Sequence, residues 1–223
     1  MSGVQTKHLL KAVCIYLLYF VYSVLTSQIV SSLQIANTSF VNFIADFLFT
    51  CVIAIAYYKE LKEDANTLCQ KYTFVKIIKR VLLGIGAIML LRIGMGIVTE
   101  IVSPGLSVDS NTASILDLLK TSPIYAIFKT MVFAVISEEL LFRKSISCCI
   151  KNDWLFVFLG ALAYPLLNYV FSGGATPILD FVMYYMTAIV LNFIYIKNDR
   201  NIYIVMIVKF ILQFLPFIVL VLI

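Results

Sequence analysis

Residues 202–223 read IYIVMIVKFILQFLPFIVLVLI, an apolar run whose only strongly polar side chains are Lys209 and Gln213. A helix of that length, rising 1.5 Å per residue, covers roughly the 30 Å of a bilayer's hydrocarbon core. A strand of a membrane barrel would instead alternate apolar and polar positions over about 10 residues, and this run does not alternate. The segment therefore predicts a membrane-spanning helix. It sets the fold class as all-α, a polytopic transmembrane helix bundle.

Working outward from it, similar runs occupy 9–30, 40–58, 81–102, 154–171 and 177–196, and a less apolar one starts at Pro123 and continues past Glu138 and Glu139. About seven spans are expected. The 223 residues are 62% hydrophobic and 13% charged, whereas soluble chains average roughly 45–50% apolar and about 25% charged. The first run is too long for a signal peptide and lacks a small-residue cleavage site, so it reads as a span. No internal repeat is evident, and one membrane domain, 1–223, is the economical count, with three spans and their loops in 1–122.

The connections are short and polar. A link at 31–38 follows the first run, and the charged connection at 59–80 is expected to form in part a surface helix. Ser103-Pro104-Gly105 should close the third span and Ser172-Gly173-Gly174 the fifth, because these residues break helices. The stretch 107–120 reads as an exposed polar loop, and Pro123 suits the first turn of the next helix.

Thirteen of the seventeen Lys and Arg residues lie in the N-terminal tail with Lys11, in 59–80, in 143–151 and in 197–200. With seven spans these four segments fall on one side, and the positive-inside rule makes that side cytoplasmic and puts the N-terminus there. A multi-pass protein of a bacterial plasma membrane is the expected setting, with the lipid bilayer as its first partner. The net charge of +5 reads as topology and not as a nucleic-acid surface, because the basic residues are not clustered with aromatics. Five cysteines, Cys14, Cys51, Cys69, Cys148 and Cys149, have no zinc-site spacing and read as small buried hydrophobes. No cofactor and no metal is implied. The single histidine, His8, stands in the N-terminal tail, so no span carries an imidazole.

Charges within spans are costly, about 2.5–3.5 kcal/mol each near the bilayer centre on insertion scales. Asp46, Arg92, Lys129, Asp180 and Lys209 are such charges. For Asp46, Arg92, Lys129 and Asp180 a structural role is the preferred reading, as pairs or as side chains reaching the interface. The segment Ser137-Glu138-Glu139-Leu140-Leu141-Phe142-Arg143 differs. Neighbouring carboxylates on an α-helix point about 100° apart, so both cannot face lipid cheaply. Glu139 and Arg143 share a face and can pair, which leaves Glu138 directed into a cavity, where a carboxylate can serve as general acid or base near neutral pH. A structural salt bridge explains the same residues.

Glu138, Glu139 and Arg143 match the Glu-Glu-x-x-x-Arg motif of the CPBP family, the CAAX proteases and bacteriocin-processing enzymes also called Abi proteins, and the run Glu-Glu-Leu-Leu-Phe-Arg also resembles that family's pattern. The resemblance covers about 124–214 and marks 123–223 as a CPBP-like core. It implies an intramembrane endopeptidase in which a glutamate activates water while histidines and an asparagine position that water and the oxyanion. The family's second motif, Phe-x-x-x-His, falls on Tyr164-Pro165-Leu166-Leu167-Asn168, and its third, His-x-x-x-Asn or His-x-x-x-Asp, falls on Lys209-Phe210-Ile211-Leu212-Gln213, after the turn at 197–201. Both histidines are absent.

By that resemblance Asn168 can donate to an oxyanion but cannot shuttle a proton. Lys209 can stabilise negative charge or form an ion pair with Glu138 that quenches the base. The preferred reading is a catalytically impaired protease homologue that acts by binding another membrane protein, such as a sensor kinase, or a bacteriocin-related peptide in immunity. The alternative is an active glutamate-dependent endopeptidase with Lys209 or Asn168 in place of the histidines. A transporter subunit would also carry intramembrane charges, but no inverted repeat or pair of broken helices supports it.

Overall fold

In a computed structural model, the described residues, 3–32, 38–102, 110–171 and 177–222, form nine helices and their connections. These are α1 (Gly3–Ser32), α2 (Thr38–Ala56), α3 (Tyr58–Lys71), α4 (Phe74–Val102), α5 (Ser110–Thr121), α6 (123–149), α7 (153–171), α8 (Ile178–Lys197) and α9 (Ile202–Leu222). Helices α1, α2, α4, α7 and α8 are long and apolar enough to cross a membrane, and α9 adds a shorter apolar stretch, Ile202–Leu215. The chain is a multi-pass membrane protein and an all-α bundle. Most of its outward apolar side chains, such as Ile55, Leu90 and Ile101, are exposed in the isolated chain, as lipid-facing positions should be.

The least apolar long segment, α6, is the innermost. It packs against α1, α2 and α9, and Leu140, Leu141 and Phe142 within it are buried. Charges are thus carried by the helix that its neighbours shield best from lipid.

The four basic segments converge on one end of the bundle. Lys11 pairs with Glu60 at 2.5 Å, Lys144 with Asp64 at 2.6 Å, Lys71 with Asp199 at 2.6 Å and Arg200 with Asp153 at 2.8 Å. Arg80 donates to the Asn198 side chain. Surface helix α3 thereby ties the start of α1, the end of α6 and the turn before α9 together. That turn carries Asp199 and Arg200 at positive φ, 55° and 57°, and Arg200 holds it by donating to the carbonyls of Ser147 and Lys151.

Two expectations need correction. Of the stretch 107–120, expected as a loop, the described part is helical, as Ser110–Thr121, because Ile115, Leu118 and Leu119 recur at helical spacing and are half-buried on one face. The cysteines are not buried; Cys14, Cys69 and Cys149 are exposed and the other two intermediate. Cys14 and Cys51 stand on membrane helices, whose outside is itself an apolar environment for a small thiol, and Cys69 stands on the polar helix α3. Helix α3 forms as expected within 59–80, but α4 already begins at Phe74. The breakers Ser103-Pro104-Gly105 and Ser172-Gly173-Gly174, and 33–37 of the first link, lie outside the described residues.

Candidate functional site

The site is built on α6. Its first turn, Pro123–Ile127, starts with the proline that lacks an N–H to leave unpaired. The helix then widens to π-type winding over Phe128–Glu138 and Leu140–Ser145 and closes as Ile146–Cys149. Such winding recurs at functional sites. Polar groups from the preceding helices brace it. Thr50 and Ser137 share a hydrogen bond of 2.9 Å, and Tyr57 and Ser145 one of 2.7 Å. Tyr16 donates to the Leu141 carbonyl at 3.0 Å.

Within this frame Arg143 lies 2.6 Å from Glu139 Oε1, the expected pair one turn apart. Lys209 of α9 reaches both carboxylates, 2.8 Å from Glu138 Oε2 and 2.9 Å from Glu139 Oε1. The ion pair between Lys209 and Glu138 is one of the two roles expected for Lys209, whereas Glu138 is not among the residues that wall the adjoining cavity. Wider winding turns each residue through a smaller angle, so both carboxylates converge on one ammonium. The Glu139 side chain is fully buried and that of Arg143 is 3% exposed, against 12% for Lys209 and 18% for Glu138. Glu139 Oε2 and Arg143 Nε are buried without a hydrogen-bond partner.

A cavity of about 90 Å³ opens beside this cluster, walled by Arg143, Lys209, Gln213 and Tyr164 and, from the other side, by Ile88 and Arg92 of α4. Tyr164 is fixed edge-on against Phe142 at 5.1 Å and Tyr184 at 5.7 Å, and Lys209 Nζ stands 5.9 Å from its ring centre. Asn168, one turn further along α7, bonds to the Tyr164 side chain. The tight turn Gly160–Leu162 that sets the direction of α7 is held by Asn192, which donates to the Phe156 carbonyl at 3.1 Å.

Of the residues singled out in the sequence, Glu138, Glu139, Arg143 and Lys209 form one charge cluster, Gln213 shares its cavity, and Asn168 reaches it only through Tyr164. Sequence reasoning missed the bracing hydroxyls and Asn192. Nor did it show that Arg92 lines the cavity. The signal for Ser137 and Ser145 was their position on either side of the charged motif in one helix. Asp46 is buried near the other end of α6, accepting from Tyr22 and, at 2.8 Å, from Tyr125.

Fold and site together define a polytopic helical membrane protein with an interior Glu-Glu-x-x-x-Arg cluster. Residues 120–215 match the family model described as type II CAAX prenyl endopeptidase Rce1-like, and this segment is a domain of that CPBP family. No curated protein and no solved structure matches the chain.

Proposed function

We propose that this protein is a membrane-embedded Rce1-like homologue that acts by binding another membrane protein and has given up, or nearly given up, peptide hydrolysis. One observation carries the reading: the Lys209 ammonium bridges Glu138 and Glu139 in a chain with no histidine beyond His8. A carboxylate that is to activate water needs a free lone pair and a partner that passes the proton on. Here Glu138 Oε2 and Glu139 Oε1 face the Lys209 ammonium, and Glu139 Oε1 faces the Arg143 guanidinium as well. Loss of one essential member of a catalytic group commonly lowers rates by several orders of magnitude.

The partner we envisage is a sensor kinase or a bacteriocin-related peptide in a bacterial plasma membrane, met at the 59–80 segment on the cytoplasmic side or near Asn168. The second reading, an active endopeptidase, is favoured by the cavity beside the glutamates and by the unpartnered Glu139 Oε2, which has room for a water. In it Glu138 or Glu139 is the base, and Lys209 or Asn168 stands where the histidines would be.

The deciding experiment compares wild type with Glu138→Gln plus Glu139→Gln at matched membrane expression, by partner pull-down and cell phenotype. Survival of both binding and phenotype supports the binding module. A shortened partner with wild type, and a full-length bound one with the double variant, overturns it in favour of the protease.

A further inference from the structure

A groove of about 320 Å³ runs between α4 and α8 and shares no residue with the cavity beside the charge cluster. It is lined by two cations, Arg80 and Lys197, by the apolar side chains of Leu83, Ala87, Val190 and Phe193, and by no carboxylate among the described residues. Both helices are long and apolar enough to cross a membrane, and Leu83 and Phe193 stay exposed between them, so this face meets lipid. The two cations stand at the end of the bundle where the basic segments converge. Ala87 and Val190 each lie seven positions deeper on the same helices, about 10 Å toward the middle of the bilayer. Lys76, four residues before Arg80, extends the same face of α4 and is exposed. The cations are held in place without being neutralised. Arg80 donates to the Asn198 side chain and packs over the Tyr72 ring at 4.4 Å, and Lys197 Nζ stands 5.4 Å from the centre of the Phe193 ring. Neither forms an ion pair among the described residues. Asp199 in the adjoining turn interacts with Arg80 but is already held by Lys71 and Tyr72, at 2.6 and 2.5 Å.

We propose that this groove binds one anionic phospholipid, its phosphate on Arg80 and Lys197 and the upper part of an acyl chain along Leu83, Ala87, Val190 and Phe193. The site belongs to the leaflet on the side assigned to the cytoplasm, where anionic lipids gather and where basic pockets between spans take their headgroups. A guanidinium and an ammonium together favour a phosphate, whereas a choline headgroup would bring a third cation to the two already there. The apolar length of the groove argues for a lipid and against a free phosphate, which would occupy its mouth alone. The volume is at the lower end of small-ligand sites, roughly 300–1,000 Å³, and suits a headgroup with the start of one chain. Helix α4 lies outside the segment that matches the family and α8 lies within it. A lipid in the groove therefore fastens the N-terminal half of the chain to the family domain, whichever role the glutamates play.

The test uses the full chain in phosphatidylcholine nanodiscs doped with diazirine-bearing phosphatidylglycerol, or with phosphatidylcholine carrying the same photoreactive chain, and mass mapping of the labelled peptides. Phosphatidylglycerol is expected to label the α4 and α8 walls of the groove several-fold more than phosphatidylcholine. Arg80→Gln plus Lys197→Gln should bring the two lipids level. Lys7→Gln plus Lys151→Gln, which removes two exposed cations from the same end, should leave the preference intact; an equal loss there would reduce the effect to a general attraction of the charged end and overturn the site. Glycerol phosphate in solution should not displace the label, and displacement by it would remove the requirement for a chain. Equal labelling of wild type by the two lipids, or labelling by neither, sinks the proposal even if the Arg80 variant fails to fold.

Discussion

Lys209 on the last helix holds Glu138, 71 residues earlier in the chain, at 2.8 Å. The contact joins α6 to α9 across the interior of the bundle, and its ammonium also reaches Glu139. Two anions and two cations thus close into one cluster, and each is tolerable in the membrane because the others are present.

Removing the ammonium should therefore cost more than removing a surface charge. Lys209→Ala leaves two mostly buried carboxylates short of a cation and is expected to destabilise by about 3–5 kcal/mol. Combining it with Glu138→Gln should cost clearly less than the sum of the single changes, since the orphaned charge is gone. Unfolding in detergent at a fixed pH measures the cycle; additive losses would show that the two side chains do not interact.

At the charged end, Lys71 and Tyr72 both donate to Asp199 Oδ2, at 2.6 and 2.5 Å. The Lys71 hydrogen bond first, then that of Tyr72, holds the Asp199 carboxyl below the ordinary aspartate value. A depressed carboxyl stabilises the fold above its unfolded value, and that contribution is lost as pH falls through the folded one. The tie between α3 and the turn before α9 should loosen only in strong acid, below about pH 4. Both groups are about half exposed, so the effect is small. Hydrogen exchange of the 198–201 amides across pH, compared with Asp199→Asn, reads it; an equal pH response in that variant would remove Asp199 as the cause.

The parts of the site that were legible in the sequence are those fixed by spacing along one helix. Glu139 and Arg143 had to share a face, and Lys209 was a charge in an apolar run that needed an anion. The convergence of both glutamates was not legible, because it depends on the wide winding of α6, which no local residue pattern announces. The place of Arg92 on the cavity wall was not legible either, because it depends on how α4 is rotated against α8 and α9. Helix α5 was not legible because its four large apolar residues, Ile115, Leu116, Leu118 and Leu119, are confined to five positions, too few to show a helical period in a polar stretch. Five of the seven expected spans were readable from hydropathy, since lipid demands long apolar helices; among the described residues the charged α6 is not one of these five, and α9 contributes a shorter apolar stretch.

Asp64 of α3 does two jobs. Its carboxylate pairs with Lys144 and accepts from the Ile202 N–H at 3.2 Å, while its carbonyl accepts from the Asn201 side chain at 2.6 Å. It is an N-cap supplied by another helix to α9, on which Lys209 stands. Asp64→Ala should cost about 1–2 kcal/mol, with faster exchange of the 202–205 amides. Asp64→Asn, which keeps an acceptor oxygen but loses the charge, should fall between. Unchanged exchange in the alanine variant would mean that α9 starts without this cap.

At Gly84, α4 comes close to both α8 and α9. A Cβ there would stand 3.0 Å from Ile194 Cδ1 and 3.1 Å from Val208 Cγ2. Val208 precedes Lys209, and Ile88, one turn beyond Gly84, lines the cavity. Gly84→Leu must therefore push α4 off its neighbours, at a cost of about 1–3 kcal/mol for overpacking. Gly84→Ala needs the flexible ends of Ile194 and Val208 to shift by only a few tenths of an ångström, and alanine is favoured over glycine in a helix by about 1 kcal/mol, so that variant should stay near wild type. Thermal unfolding of the two variants checks this; a leucine variant as stable as wild type would show that the helices do not depend on the close approach at Gly84.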